Sequence, residues 1–213
     1  MLKLVTRIEL SKYVALNDNI KESAIEQHIL DAQKFNLYPA FPDNMLHAIE
    51  ANILAGIPQW MPNKAYSVND KIVWSGIYYK ALSVNTNSEP PSIKWGSLEL
   101  MNFHSEFLIP FIAYHFYYRF VAYHGVNVTP FGLRTPVEET SQPIDNNTRG
   151  LILADMNNKI NMQIALINKK LDDVKYTFDG VKYDTDKNET QHVKQKMRLW
   201  GVGNTHWEKH KYE

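Results

Sequence analysis

FLIPFIAYHFYYRFVAY, residues 107–123, is the stretch that decides the fold. Its apolar and aromatic side chains fall on nearly every side of a helical wheel, the pattern of a central helix packed by several neighbours. A membrane span needs roughly 20 mostly apolar residues. The longer run from Phe103 to Tyr123 contains Glu106, Pro110, His115 and Arg119 and is crowded with tyrosine, so it reads as a buried helix and no membrane partner is expected. Pro110 belongs in the first turns of that helix or kinks it, because proline lacks the N–H an interior position donates. Gly125 ends it.

Toward the C-terminus, residues 126–147 carry three prolines and no helical period. So long a connection in a compact domain is usually functional or ordered by a partner. A second long helix starts near Thr148 and sets Leu153, Met156, Ile160, Ile164, Ile167, Leu171 and Val174 on one stripe of 3–4 spacing. Tyr176 to Tyr183 then reads as a hairpin, since Asp179-Gly180 supplies the positive φ values of a tight turn. From His192 onward the chain is a basic arm holding Trp200 and Trp207.

Toward the N-terminus, Thr6 and Glu9 form a capping box that opens a short helix from about Arg7 to Tyr13. Asn19 and Glu22 repeat that logic for a second helix ending near Leu37, with Ile25, Ile29 and Ala32 inward. Pro42 suits the first position of a third helix, in which Met45, Leu46, Ile49 and Ile53 face inward and which Gly56-Ile57-Pro58 stops. From Trp60 to about Leu100 the texture changes: Gly, Pro, Asn and Ser punctuate short runs. Lys71–Trp74 and Tyr78–Leu82, separated by Ser75-Gly76, predict a β-hairpin. Trp60, Tyr66, Trp74, Tyr78, Tyr79 and Trp95 crowd this segment, which reads as a compact module inserted into a helical protein.

The fold class expected is therefore mainly α: a small helical-bundle core in two parts, residues 1–58 and 101–175, with a long loop at 125–147. A small β module inserts at 59–100, and a hairpin with an extended C-terminal arm occupies 176–213. With 213 residues and 44% hydrophobic composition the chain can bury a real core. Lys+Arg and Asp+Glu are both 23, so no global field draws it to nucleic acid or an anionic surface. It has no cysteine, which removes disulfides, thiolate catalysis and Cys-ligated zinc. The opening MLKLVTRIELSKYV has no apolar run fit for a signal-peptide core, so no secretion leader is expected.

No enzymatic constellation is legible: there is no Gly-rich phosphate loop, no His-Glu-x-x-His, no Gly-x-Ser-x-Gly and no paired carboxylate spacing. Neither catalytic residues, nor a cofactor, nor a metal site is expected. His104, His115 and His124 are read as core or boundary histidines, and nothing fixes a ligand geometry for His192, His206 and His210. Lys194, Lys196, Arg198, Lys209 and Lys211 with two interleaved tryptophans suit phosphates and stacking. In a chain neutral overall they fit better as an arm that docks on an acidic protein neighbour.

The order of these elements resembles a known family. It runs from the capping-box opening through AQKFNLYPAF (32–41), LIPFIAYHFYYRFV (108–121) and VNVTPFGLRTP (126–136) to the long last helix. It is similar to the head–tail connector, or adaptor, proteins of tailed bacteriophages, especially those of Bacteroidetes phages, over about residues 1–58 and 101–175. The resemblance implies a non-enzymatic virion protein made in the host cytoplasm and placed at the head–tail interface. It also implies a cyclic homo-oligomer of about twelve copies. Its partners would be the portal protein above and other neck or tail adaptor proteins below, with genomic DNA passing through the channel without sequence-specific binding. Phe131 and Arg134 in the long loop, and Arg198, Trp200 and Trp207 in the arm, would then be assembly residues.

A second resemblance covers about residues 59–97. Trp60, Ala65-Tyr66, Asn69-Asp70, Trp74, Gly76, Tyr79-Lys80-Ala81, Pro90-Pro91 and Trp95 follow the order of small chitin-binding carbohydrate-binding modules. It implies carbohydrate or protein docking through Trp60, Trp74, Tyr79 and Trp95, and with it an alternative function as a carbohydrate-binding adhesion protein. The sequence departs from that pattern at Leu82-Ser83-Val84-Asn85, where such modules often present consecutive exposed aromatics. A hydrolase with an attached binding module is a further alternative, against which the lack of an acid/base pair in the helical remainder counts.

Overall fold

The computed structural model describes residues 1–123, 127–129, 132–134 and 146–183. Helices dominate them, with small antiparallel sheets between. The chain opens with α1 (Arg7–Leu10), whose Thr6 side chain accepts from the Glu9 N–H while the Glu9 carboxylate accepts from the Thr6 N–H at 2.7 Å. This is the expected capping box. α1 is shorter than expected, because the Tyr13 N–H returns to the Leu10 carbonyl and closes a turn.

α2 (Glu22–Ala32) continues through a π-helical turn, Gln33–Leu37. Its start corrects the sequence reading. Lys21, not Asn19, is the N-cap and makes no side-chain cap, because the Asn17 carboxamide takes the Asn19 N–H at 2.9 Å and turns the chain before the helix begins. α3 (Asp43–Ala55) begins after Pro42 and ends at Gly56, which sits at φ 66 where a side chain would be strained.

The β module comprises β1 (Ala65–Tyr66), β2 (Lys71–Trp74), β3 (Ile77–Ala81), β4 (Asn85–Thr86) and β5 (Trp95–Ser97), with β1 paired to β4 and the others in the order β2-β3-β5. Ser75 and Gly76, at φ 50 and 81, make the tight turn that sets Trp74 opposite Ile77. Tyr66, Ile72, Tyr79, Ala81 and Trp95 form a core of their own, apart from that of the helices.

α4 (Glu99–Phe103), a π-helical turn at His104–Leu108 and α5 (Ile109–Tyr123) follow one another as a continuous helical stretch. The central helix thus starts well before Phe107, and Pro110 lies inside it rather than at its start. In a regular helix the Pro110 ring would clash with the carbonyl four residues back and leave it without a donor. The wider turn just before it, in which the Ile109 N–H reaches the His104 carbonyl, is the local adjustment. α5 is buried from Ile109 to Ala113 and at His115 and Phe116, whereas its last two turns are half-exposed. It packs against α2 on one side and α6 (Asn146–Val174) on another. The predicted stripe of α6 faces this core, with Met156, Ile160, Ile164, Ile167 and Leu171 buried.

Within residues 125–147, expected as a loop without regular structure, β6 (Asn127–Thr129) pairs antiparallel with β7 (Gly132–Arg134), Val128 opposite Leu133. The last hairpin, β8 (Thr177–Phe178) and β9 (Val181–Lys182), turns at Asp179 and Gly180 with φ 54 and 79 as expected. It does not stand apart as a C-terminal unit: Phe178 and Tyr183 are buried in the helical core.

Candidate interaction surfaces

The β module is stitched to the helices through backbone atoms. The Asn102 carboxamide on α4 accepts from the Tyr78 N–H at 2.8 Å and donates to the Tyr78 carbonyl at 2.9 Å, acting as a strand would. The same carbonyl accepts the Leu98 N–H at 2.9 Å, and the Tyr78 ring packs on the helical core. At this seam lies a cleft of about 190 Å³ lined by Glu9, Asn52, Tyr78, Met101 and His104 among others. Burial, with Glu9 nearby, pushes the Tyr78 phenol up, so it stays protonated. His104 is held below the ordinary imidazole range by burial, partly offset by its 2.8 Å bond to the Leu4 carbonyl. A carbonyl only accepts, so Nε2 carries the proton, and Nδ1 is buried without a partner. The Glu9 carboxylate is engaged in its own cap. These groups hold the N-terminal segment in place and form no nucleophile–base pair.

The four aromatics expected to dock a ligand divide into two kinds. Trp95 is 6% exposed and its indole N–H donates to the Ser88 carbonyl at 2.7 Å; Tyr79 is 8% exposed. Trp95 also meets the Tyr66 ring edge-on at 5.1 Å. This corrects the docking role expected of Tyr79 and Trp95, because so small a module has little else with which to build a core. Trp60 and Trp74 are half-buried against that core, and the Trp60 indole N–H is buried without a partner. What the module exposes is aliphatic: Ile93 is 96% exposed and Val84 70%. Phe131, Arg198, Trp200 and Trp207, with His124, His192, His206 and His210, lie outside the described residues. Of Arg134 the structure describes the backbone, as the last residue of β7.

A second surface runs along α6. Leu151, Met162 and Leu166 are 65%, 67% and 52% exposed. Met162 and Leu166 lie roughly three and four turns after Leu151, on the side of α6 opposite the buried stripe. α6 therefore exposes three large apolar side chains outside its inner stripe, on a side that also carries the Lys159–Asp155 ion pair. Periodicity does not reveal these three, because Asp155, Asn158 and Lys159 interrupt them on the same side of the helix.

Among the described residues no group of three His, Asp or Glu side chains could hold a metal ion, and no helix is long and apolar enough to cross a membrane. His104 and His115 are buried apart from each other along the central helix.

A family model matches residues 73–191, more than half of the 213. The chain belongs to DUF6712, a family of unknown function. No curated protein and no solved structure matches it. The DUF6712 match begins inside β2 and runs through β3, β5 and the central helix. Much of the β module is therefore as much a part of the family pattern as the helices it is stitched to.

Proposed function

We propose that this DUF6712 chain is a structural, non-catalytic subunit that assembles into a cyclic ring in the neck of a tailed phage. There a helical-bundle core joins the portal to the tail and continues the DNA channel. The observation that carries this reading is the outer face of α6. A helix of 29 residues, about 43 Å long, that exposes Leu151, Met162 and Leu166 opposite its core face has apolar area to bury against a neighbour. A second copy is the occupant such a face fits, since closed rings repeat one interface around an axis. The order of the elements, similar to that of phage connectors, supports the same reading. Portal and adaptor proteins are the axial partners, and DNA passes through without base readout, consistent with a chain neutral overall.

Mass spectrometry of purified, nuclease-treated virions tests it. About twelve copies per portal ring are expected, and absence of the chain from virions overturns the proposal. Native mass spectrometry of the purified chain gives the molecular test. Met162→Glu with Leu166→Glu is expected to reduce ring formation without unfolding the bundle, and undiminished assembly removes α6 from the interface.

The alternative, carbohydrate binding by the β module, rests on the half-exposed Trp60 and Trp74. Retention on chitin beads that is lost in Trp74→Ala would favour it.

A further inference from the structure

The guanidinium of Arg119, on the half-exposed end of α5, is held by one edge only. Its Nε and Nη2 both donate to the Asn36 Oδ1, at 3.1 and 3.0 Å, and its plane lies over the Phe35 ring with the central carbon 5.2 Å from the centroid. Asn36 and Phe35 sit in the π turn that ends α2, so two helices fix the orientation of this side chain. The other edge of the fork, Nη1 with the second hydrogen of Nη2, meets no partner among the described residues, and Arg119 belongs to no ion pair there.

That edge borders a cleft of about 260 Å³ between the end of α2, α5 and α6. Its polar lining is Asn36, His115, Tyr118, Arg119, Tyr123 and Asn157, with no carboxylate among them. His115 is buried, and desolvation first and the Arg119 cation second depress its pKa to about 3, so it is neutral at physiological pH. The cleft thus offers one oriented cation, phenol and amide donors and no anion of its own. A partly buried guanidinium without a counter-ion is unfavourable unless something completes it. A guanidinium fixed by one edge presents the other in the geometry that matches two oxygens of a carboxylate or phosphate.

We propose that this cleft binds a small oxyanion, a carboxylate or phosphate group, held bidentately by the free edge of Arg119 with Tyr118, Tyr123 and Asn157 supplying further donors. The site is independent of ring assembly, because it lies on side chains other than the outer face of α6.

Titration calorimetry of the full chain at low ionic strength, with inorganic phosphate in one arm and acetate in the other, tests the proposal. Saturable one-to-one binding of at least one anion is expected; which arm responds distinguishes a phosphate ligand from a carboxylate ligand. Arg119→Gln is expected to weaken binding about tenfold or more, and Arg119→Lys, which keeps the charge and loses the fork, nearly as much. Should Arg119→Gln fail to fold, Asn157→Leu leaves Arg119 intact and places an apolar group in the cleft, and the same loss is expected. Lys159→Gln, which removes a cation of α6 outside the cleft, keeps wild-type affinity. Absence of saturable binding in both arms, or wild-type affinity in the Arg119→Gln or Asn157→Leu protein, overturns the proposal.

Discussion

Asp179 and Glu99 cap each other across 80 residues of sequence. The Asp179 carboxylate accepts from the Glu99 and Leu100 N–H groups, at 2.9 and 3.1 Å, and the Glu99 carboxylate accepts from the Asp179 N–H at 2.9 Å. This is a capping box built from two distant segments. It satisfies two of the free donors at the start of α4, whose own N-cap, Leu98, has no side-chain acceptor. Lys80 of β3 approaches the same carboxylate at 3.7 Å, so helix, hairpin and β module meet at one group.

Removing that carboxylate should loosen all three. Asp179→Ala is expected to cost about 2 kcal/mol in denaturant unfolding, from the lost cap and the turn's positive φ together. Asp179→Asn, which tolerates the turn and keeps one acceptor, should cost about half that. Combined with Glu99→Gln, the loss should be smaller than the sum of the single losses, because both changes break one network. Additive losses would show that the two carboxylates act separately.

Acid should destabilise the helical core through His115. In the folded state its pKa lies at about 3, while the unfolded chain takes up the proton near 6.5. This contribution is therefore complete above about pH 6.5 and is lost as pH falls toward 3, at up to about 1.4 kcal/mol per pH unit. His104, likewise depressed by burial, acts in the same direction. Unfolding free energies measured from pH 7 to pH 4.5 should fall, with a shallower slope in His115→Gln; a flat profile contradicts the assignment.

Gln33 is wholly buried, and its amide clasps the N-terminal segment: Oε1 accepts the Leu4 N–H at 2.9 Å and Nε2 donates to the Leu2 carbonyl at 2.8 Å. Gln33→Met preserves volume and leaves both backbone groups without partners, at a cost of about 2–4 kcal/mol. Hydrogen exchange at the Leu4 amide is the direct readout, and unchanged protection there would refute the clasp.

Within the β module, Trp95→Ala should remove about 3–5 kcal/mol from the stability of its core. Trp74→Ala, at a half-exposed position, should cost much less. Equal losses, followed by denaturation monitored at the remaining tryptophans, would mean that Trp74 is as much a core residue as Trp95.

Much of the helical scaffold was legible in the sequence alone, and the reason is the range over which its signals act. The Thr6–Glu9 box, the Ser75-Gly76 and Asp179-Gly180 turns and the inner stripe of α6 are set by backbone sterics and by periodicity within a few residues. Those features reappear where expected. The true start of the central helix was hidden because Pro110 reads locally as a helix opening, and a π turn that absorbs it leaves no pattern. Asn19 carries a cap signal that goes unused, because the Asn17 carboxamide takes the Asn19 N–H that Glu22 would have accepted.

Tertiary structure alone decided the rest. That Asn36 aims Arg119, that Asp179 caps α4, that Gln33 holds Leu4 and that Tyr79 and Trp95 turn inward all depend on where separate elements come to lie. A polar side chain in a sequence advertises its capacity to donate or accept; which distant backbone group or guanidinium completes it is fixed when the apolar faces pack and bring the two within about 3 Å.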